Sequence, residues 1–129
     1  MYRILISDDE QEICKLIKTF LERKGFEVIV TDSAEEGLYL LSKEKSDLLI
    51  QDKKMPGIGG FGVLRELRAR NDNIPVIILT GHLDKIDAAT EEVIKLGYVD
   101  LLLKPVDLNL LLNKINKRLK IEKEEEEGK

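Results

Sequence analysis

Five short apolar runs alternate with longer amphipathic stretches along this 129-residue chain, and the alternation restricts the folds that it can adopt. Each run has five or six residues, and several are rich in Ile and Val, as strands buried on both faces of a parallel sheet usually are. We predict that the runs are the strands of one sheet. They cover residues 2–7 (YRILIS), 27–31 (EVIVT), 48–52 (LLIQD), 75–80 (PVIILT) and 99–103 (VDLLL).

The stretches between these runs have helical patterns, with apolar residues that recur at steps of three and four. Gly25 and Gly97 follow the first and fourth stretches as stop signals, and Asp107 is placed to cap the fifth. Ser33 and Glu36 have the spacing of a capping box at the start of the second. The first two helices have apolar residues between 13 and 21 and between 38 and 41, and the other three are predicted at about 61–70, 86–96 and 108–119.

A strand followed by a helix, repeated five times, predicts an α/β fold whose sheet is covered on both faces. Right-handed crossovers leave few topologies for such a chain. We therefore expect a flavodoxin-like, doubly wound, five-stranded parallel sheet in the order 2-1-3-4-5 with five helices. Residues 1–121 would form this single domain, and the acidic segment 122–129 would be a disordered tail or the remnant of a linker.

The charge of the chain gives no reason to expect a polyanionic partner. There are 21 Lys and Arg against 25 Asp and Glu, a formal net charge of −4. Segment 122–129 (EKEEEEGK) has five Glu and two Lys, so it carries −3 and leaves −1 for the remainder. A nearly neutral body does not indicate binding to nucleic acid or to a membrane surface through bulk charge.

The chain shows no sign of secretion or membrane insertion. Its apolar runs are far shorter than the roughly 18 residues of a membrane span, and Asp8 comes too early for the apolar region of a signal peptide. Cys14 is the only cysteine, so the chain cannot form an internal disulfide, which fits a reducing compartment. We expect a cytoplasmic domain in which Cys14 is a small core or boundary residue.

Chemically active side chains follow four of the predicted strands. Because the carboxyl ends of parallel strands meet at one edge of the sheet, where strand order reverses and ligands bind, these side chains should lie close together. Acids at the ends of the first and third strands would then face a hydroxyl and an ammonium group from the fourth and fifth. The residues are Asp8, Asp9 and Glu10, then Asp52, then Thr80, then Lys104.

Four of these residues also have an ordinary structural explanation. Asp9 could cap a helix, because Glu12 stands three residues later, and Asp52 could begin a turn before Pro56 and Gly57. The hydroxyl after the fourth strand could be a cap, and the lysine after the fifth a solvated charge. The joint placement of all of them after strands one, three, four and five favours a functional site.

The sequence resembles the receiver domain of bacterial two-component response regulators over residues 2 to about 120. The resemblance rests on motifs that occur in the family's order and at its spacing. Singly the short motifs mean little, but together they are specific. They are the acidic pair Asp8-Asp9, the segment 47–60 (DLLIQDKKMPGIGG), the segment 75–80 (PVIILT) and Lys104-Pro105.

The resemblance implies that Asp52 accepts a phosphoryl group from the phosphohistidine of a histidine kinase. It also implies that Asp9 and Asp52 bind Mg²⁺ together with the backbone carbonyl of Lys54, while Asp8 acts partly through water. Lys104 would pair with the phosphoryl oxygens and Thr80 would hydrogen-bond to them, and the family usually has a cis peptide at the position of Lys104–Pro105. Independently, crowded carboxylates favour a divalent cation. Three carboxylates, one Mg²⁺ and one lysine give a neutral site.

The chain departs from the family's pattern near the switch. The family commonly has Tyr or Phe three residues before the site lysine, but this chain has Leu101, and Tyr98 would face the other way on a strand. We expect Leu101 to change its packing on activation. Lys54 and His82 each follow a site residue by two positions, beside the family's path for the hydrolytic water. They are expected to influence phosphoryl lifetime, although His82 could equally be an exposed loop histidine without a role.

Two enzyme classes fit the sequence poorly. A haloacid-dehalogenase-type phosphatase would have a D-x-D motif early in the chain, whereas Asp52-Lys53-Lys54 lies mid-chain and lacks the second acid. A flavodoxin would have a hydroxyl-rich phosphate loop after its first strand, where the acids Asp8 and Asp9 would repel a phosphate. The domain is therefore expected to be a phosphoacceptor rather than a classical enzyme, and the alternative is a phosphorylation-independent interaction module.

The resemblance implies the partners as well. The phosphoryl group would come from a sensor histidine kinase or a phosphotransfer protein. The change would pass to the face formed by the fourth helix, fifth strand and fifth helix, where a phosphorylation-dependent homodimer is one outcome that the family allows. No helix-turn-helix or ATPase motif is found in the chain, so this domain should not itself bind nucleic acid.

Overall fold

The computed structural model describes residues 1–82 and 87–121 and forms a five-stranded parallel sheet with helices on both faces. The strand order is β2-β1-β3-β4-β5, which confirms the predicted topology. Within the described ranges, every helix is too short or too polar to span a bilayer. The elements are β1 (Arg3–Ser7), α1 (Gln11–Arg23), β2 (Glu27–Thr31), α2 (Ala34–Lys43), β3 (Leu48–Asp52), α3 (Gly59–Ala69), β4 (Val76–Thr80), α4 (Ala88–Lys95), β5 (Val99–Leu103) and α5 (Leu108–Leu119).

The central strands are buried on both faces, which explains why their sequences are continuously apolar rather than alternating. Every residue of β3 and β4 is buried. Successive side chains point to opposite faces, so Ile77 packs in one core layer and Ile78 in the other. The first layer lies under α1 and α5, and the second lies under α2, α3 and α4.

Two of the predicted helix caps are present. The Ser33 hydroxyl accepts a hydrogen bond from the Glu36 amide at 3.1 Å, and an Asp107 carboxylate oxygen accepts one from the Leu110 amide at 3.1 Å. The capping box at α2 is incomplete, because the Glu36 carboxylate turns away from Ser33 and accepts from the Thr31 hydroxyl at 2.5 Å. A side chain at the end of β2 therefore competes with the local motif.

The ends of the third and fourth helices differ from the sequence-based prediction. Helix α3 begins at Gly59, two residues earlier than predicted, and α4 is shorter than predicted, with Asp87 as its cap. The Asp87 carboxylate accepts from the Thr90 amide at 2.8 Å. Residue 86, the predicted start of α4, and the acidic segment 122–129 lie outside the described residues.

Backbone hydrogen bonds continue past the strand ends and fix the loops that follow. The Lys53 amide donates to the Leu79 carbonyl at 2.8 Å, and the Lys104 amide donates to the Thr80 carbonyl at 2.7 Å. The first residue after β3 and the first after β5 are thus held by β4. Backbone hydrogen bonds of the sheet are therefore enough to fix the first residue of each of these two loops.

Gly60, in the first turn of α3, lies directly against the backbone at the end of β3. A Cβ atom at this position would come within 2.7 Å of the Asp52 carbonyl oxygen and 2.8 Å of the Lys53 Cα. Neither atom belongs to a flexible side chain that could move aside. Only glycine allows α3 to start this close to the strand end.

We expect Gly60→Ala to lower the free energy of unfolding by about 1–3 kcal/mol, because the new methyl group must displace backbone. Gly37→Ala is the matched control, since Gly37 is also helical but a Cβ there would meet nothing nearer than the Ser7 Oγ at 3.5 Å. The control should raise stability by up to about 1 kcal/mol through helix propensity. Urea unfolding of both variants checks the pair, and a shift in the same direction would contradict the close-contact explanation.

Candidate functional site

A shallow pocket of about 260 Å³ lies at the carboxyl edge of the sheet, between the loops that follow β1, β3, β4 and β5. It brings together all but one of the residues that the sequence proposed for a site. Asp8, the exception, lies behind the pocket with 1% of its surface exposed. The lining residues are Asp9, Glu10, Asp52, Lys53, Lys54, Thr80, Gly81 and Lys104.

Two other grooves are larger but lack this chemistry. One of about 460 Å³ lies at the opposite edge, between the loops that precede β3 and β4. Another of about 410 Å³ lies between α1 and β2 and shares Asp8 with the site. Neither of these two grooves is lined by Asp52, Thr80 or Lys104, so the smaller pocket is the candidate site.

The Lys104 ammonium group is the electrostatic centre of the pocket. Its Nζ lies 2.5 Å from Glu10 Oε1, 3.2 Å from Asp52 Oδ1 and 3.4 Å from Asp8 Oδ2. Burial alone would lower the pKa of Lys104, but the hydrogen bond to Glu10 and the charges of Asp8 and Asp52 outweigh it and raise the pKa. The lysine is therefore charged throughout the physiological range.

Asp8 is a carboxylate held in a poorly solvated position. Its Oδ1 accepts from the Glu10 amide at 2.9 Å, whereas its Oδ2 is buried without an aligned hydrogen-bond donor and has only the long ion pair with Lys104. Burial, reinforced by the neighbouring charge of Asp52, raises the pKa of Asp8 to about 6. The ionised form of Asp8 is therefore poorly stabilised by its surroundings.

Asp52 and Thr80 stand at the ends of the two fully buried strands. Asp52 is 5% exposed, and its Oδ1 lies 3.4 Å from the Lys54 amide. The Thr80 hydroxyl is engaged with its own loop: it donates to the His82 carbonyl at 3.2 Å and accepts from the His82 amide at 3.3 Å. A new acceptor in the pocket would compete for this hydroxyl.

Carboxylate oxygens of Asp8, Glu10 and Asp52 lie within 4.8 Å of one another and form the acidic grouping that could hold a cation. Asp9 lines the pocket but is not part of this grouping. The sequence placed Glu10 among the acids that follow β1 but indicated neither a metal-ligand role nor a specific partner for it. Its contact with Lys104 joins positions 94 residues apart, so local sequence carried no signal of it.

The residues that depart from the family pattern differ in their burial and contacts. Leu101 is half-buried and packs against the core layer under α2, α3 and α4. Tyr98 lies just before β5 rather than on it, with φ 56° and 52% of its surface exposed, and the Arg68 guanidinium is 5.8 Å from its ring centroid. Tyr98 is therefore a surface residue. Lys54 and His82 are both exposed.

Two smaller expectations are met. The Lys104–Pro105 peptide bond is cis. Cys14 is a buried core residue whose Sγ donates to the Asp8 carbonyl at 3.3 Å, and burial raises the pKa of its thiol to about 11. The thiol is thus protonated and packed rather than reactive.

Comparison with known proteins identifies the family that this geometry suggests. The family model described as "Response regulator receiver domain" matches residues 4–116. The chain belongs to this family. Among solved structures, the receiver domain resembles the receiver domain of the Francisella response regulator 1452, with a TM-score of 0.84, 33% identity and coverage of 93% of this chain and 98% of that one. It also resembles a response regulator receiver domain protein from Clostridium thermocellum, with a TM-score of 0.82, 36% identity and coverage of 93% and 95%.

Curated relatives are longer than this receiver domain. The transcriptional regulatory protein AfsQ1 of Streptomyces coelicolor is 36% identical over 111 residues, which cover 86% of this chain and 48% of the relative. The transcriptional regulatory protein GlrR of Escherichia coli is 36% identical over 118 residues, which cover 90% of this chain and 26% of the relative. The chain thus spans between about a quarter and a half of the length of these relatives.

We expect Asp8→Asn to stabilise the metal-free receiver domain by about 1–3 kcal/mol at pH 7. The pKa of Asp8 is raised to about 6, above the value of about 3.9 for an unfolded aspartate, so its ionisation costs stability as pH rises from about 4 to 6. The advantage of the variant should therefore vanish near pH 4. Urea unfolding in chelator at both pH values measures it, with Asp32→Asn, an exposed aspartate, as the control. An equal gain at both pH values would refute the burial explanation.

Proposed function

We propose that this receiver domain accepts a phosphoryl group on Asp52 from the phosphohistidine of a histidine kinase, in a Mg²⁺-dependent reaction. One observation carries the proposal: a nearly buried Asp52 carboxylate lies 3.2 Å from the Lys104 ammonium in a pocket that also contains the Thr80 hydroxyl and additional acids. Family membership supports it, since receiver domains are signalling domains.

The proposed transfer needs little covalent assistance from the protein. An Asp52 carboxylate oxygen attacks phosphorus and forms an O–P bond, while the N–P bond of the phosphohistidine breaks and the imidazole leaves with the electron pair and takes up a proton. Water later attacks the same phosphorus, which releases inorganic phosphate and restores the carboxylate. Positioning of the nucleophile and positive charge on the phosphoryl oxygens are the main requirements. Lys104 is placed to provide such charge.

The donor set of the pocket suits Mg²⁺, which prefers oxygen ligands. The Asp8 Oδ2 atom, buried without an aligned donor, is the observation that supports this fit. Asp9, Asp52 and the Lys54 carbonyl would hold the ion, with Asp8 partly through water, and the ion would supply positive charge to the phosphoryl oxygens. Glu10 corrects the sequence-based charge balance: with four carboxylates, one Mg²⁺ and Lys104, the site carries −1 rather than zero.

The Thr80 hydroxyl would carry the change away from the site. A phosphoryl oxygen offers a stronger acceptor than the His82 carbonyl that Thr80 now contacts. Reorientation of Thr80 would allow Leu101 on β5 to repack, which would alter the α4–β5–α5 face. Side-chain resonances of Leu101 that do not respond to phosphorylation would contradict this step.

The proposed partners follow from the longer relatives. AfsQ1 and GlrR are transcriptional regulatory proteins by name, and this chain matches only part of each. We assign to this chain a sensor histidine kinase or phosphotransfer protein as phosphoryl donor, and an output that responds to the α4–β5–α5 face. The nearly neutral body favours protein contacts over direct contacts with nucleic acid.

Intact mass after incubation with acetyl phosphate tests the acceptor directly. The wild-type protein should gain one phosphoryl group with Mg²⁺ and none without it, and Asp52→Asn should gain none because it lacks the nucleophile. Asp32→Asn, which changes an exposed aspartate after β2, should gain the group as wild type does.

Absence of any gain in the wild-type protein with Mg²⁺, together with no response to beryllofluoride, would favour a phosphorylation-independent interaction module. A gain that persists in Asp52→Asn would place the acceptor elsewhere. Either result overturns the proposed function.

The lifetime of the phosphorylated state should depend on Lys54 and His82. Both are exposed beside the pocket, where they can influence the approach of water without supplying the nucleophile. We expect Lys54→Ala and His82→Ala to change the rate of dephosphorylation more than the rate of phosphorylation, as measured by the decay of the phosphorylated mass. Lys45→Ala, an exposed lysine in the loop before β3, is the control and should change neither rate. Decay at the wild-type rate in both test variants would refute this role.

A further inference from the structure

We propose that Glu10 is a positioning residue that restrains Lys104 in the unphosphorylated state and must release it when Asp52 is phosphorylated. This inference rests on the proposed phosphoryl transfer. It assigns a role to an acid that lies outside the residues to which the family resemblance gives one.

The Glu10 side chain does not serve the helix that it precedes. Glu10 occupies the N-cap position of α1, yet its side chain makes no capping hydrogen bond. Instead the carboxylate reaches across the pocket to the end of β5, where Oε1 lies 2.5 Å from Lys104 Nζ. This is the shortest of the three contacts that the ammonium makes with carboxylates.

The pair is also asymmetric in its surroundings. The Lys104 side chain is 17% exposed, whereas the Glu10 side chain is 55% exposed. Lys104 is therefore held inside the pocket, and Glu10 is the partner that can turn to solvent at little cost. Asp8 and Asp52, at 0% and 7% side-chain exposure, have no such freedom.

Phosphorylation would force a choice between these partners. An ammonium group has three donors, and in the unphosphorylated protein three carboxylates surround it. A phosphoryl group on Asp52 brings new anionic oxygens close to Lys104. Because Glu10 is the most exposed of the three acids, it is the contact that should yield, and its loss is part of the cost of phosphorylation.

Three variants separate this contact from a general effect of charge. Glu10→Gln removes both the charge and the ion pair, whereas Glu10→Asp keeps the charge but is one methylene too short to keep the contact with Lys104. Glu12→Gln removes the same charge two residues away, from an exposed side chain in the first turn of α1. If the contact with Lys104 is what matters, Glu10→Asp should behave like Glu10→Gln. If only the charge matters, Glu10→Asp should behave like wild type.

The measurements are the initial rate of phosphorylation by acetyl phosphate and the affinity for beryllofluoride, each at a Mg²⁺ concentration that saturates that variant. We expect Glu10→Gln and Glu10→Asp to increase both by about threefold, the size of effect typical of a solvent-exposed ion pair. Glu12→Gln should match wild type. In chelator-treated protein, without metal or phosphodonor, the side-chain resonances of Lys104 should shift in both Glu10 variants and not in Glu12→Gln.

Other outcomes overturn the proposal. A Glu10→Asp variant that behaves as wild type while Glu10→Gln is faster would show an effect of charge alone. Slower phosphorylation in the Glu10 variants would mean that Glu10 assists Lys104 instead of restraining it. Wild-type rates in all variants would remove the role of Glu10 but leave Asp52 as the acceptor, whereas no phosphorylation of the wild-type protein would overturn both proposals.

Discussion

The contact of one ammonium group with three carboxylates organises the functional edge of this protein. Lys104 comes from the end of β5, Asp52 from the end of β3, and Asp8 and Glu10 from the segment after β1. Three loops that are distant in sequence are therefore tied to a single charged atom. Without that cation, four carboxylates including Asp9 would repel one another across a small pocket.

The sequence predicted the fold well because the sheet is dictated by continuous apolar runs. Residues 48–52 and 76–80 are buried on both faces, so their pattern needed no tertiary information to interpret. Helix ends were harder. Helix α3 begins early because Gly60 packs on the strand end at Asp52, and α4 begins late because Asp87 is its N-cap. Neither feature can be read from the local periodicity of apolar residues.

The convergence of side chains from several strands at this edge was predictable, but the geometry of the pocket was not. Asp52, Thr80 and Lys104 follow strands whose order the topology fixes, so their convergence could be inferred. The unequal situations of Asp8, buried, and Asp9, exposed, depend on where α1 begins. The specific contact between Glu10 and Lys104 could not be inferred, because the two residues are 94 positions apart and only the three-dimensional structure shows how closely their side chains approach.

The close approach of Gly60 restrains the pocket on the Asp52 side more than on the Thr80 side. The Asp52 carbonyl lies against the start of α3 and also accepts a hydrogen bond from the Gln51 side chain at 3.1 Å, so the backbone that carries the Asp52 carboxylate is held on this side. On the opposite side of the pocket, the Thr80 hydroxyl is less restrained, because among the described residues it forms hydrogen bonds only within its own loop. If Asp52 is phosphorylated as proposed, the Thr80 hydroxyl can therefore turn to the new group by giving up bonds within its own loop. Under the proposed function, the packing of a single glycine would thus keep the backbone at Asp52 fixed and leave the response to the Thr80 side of the pocket.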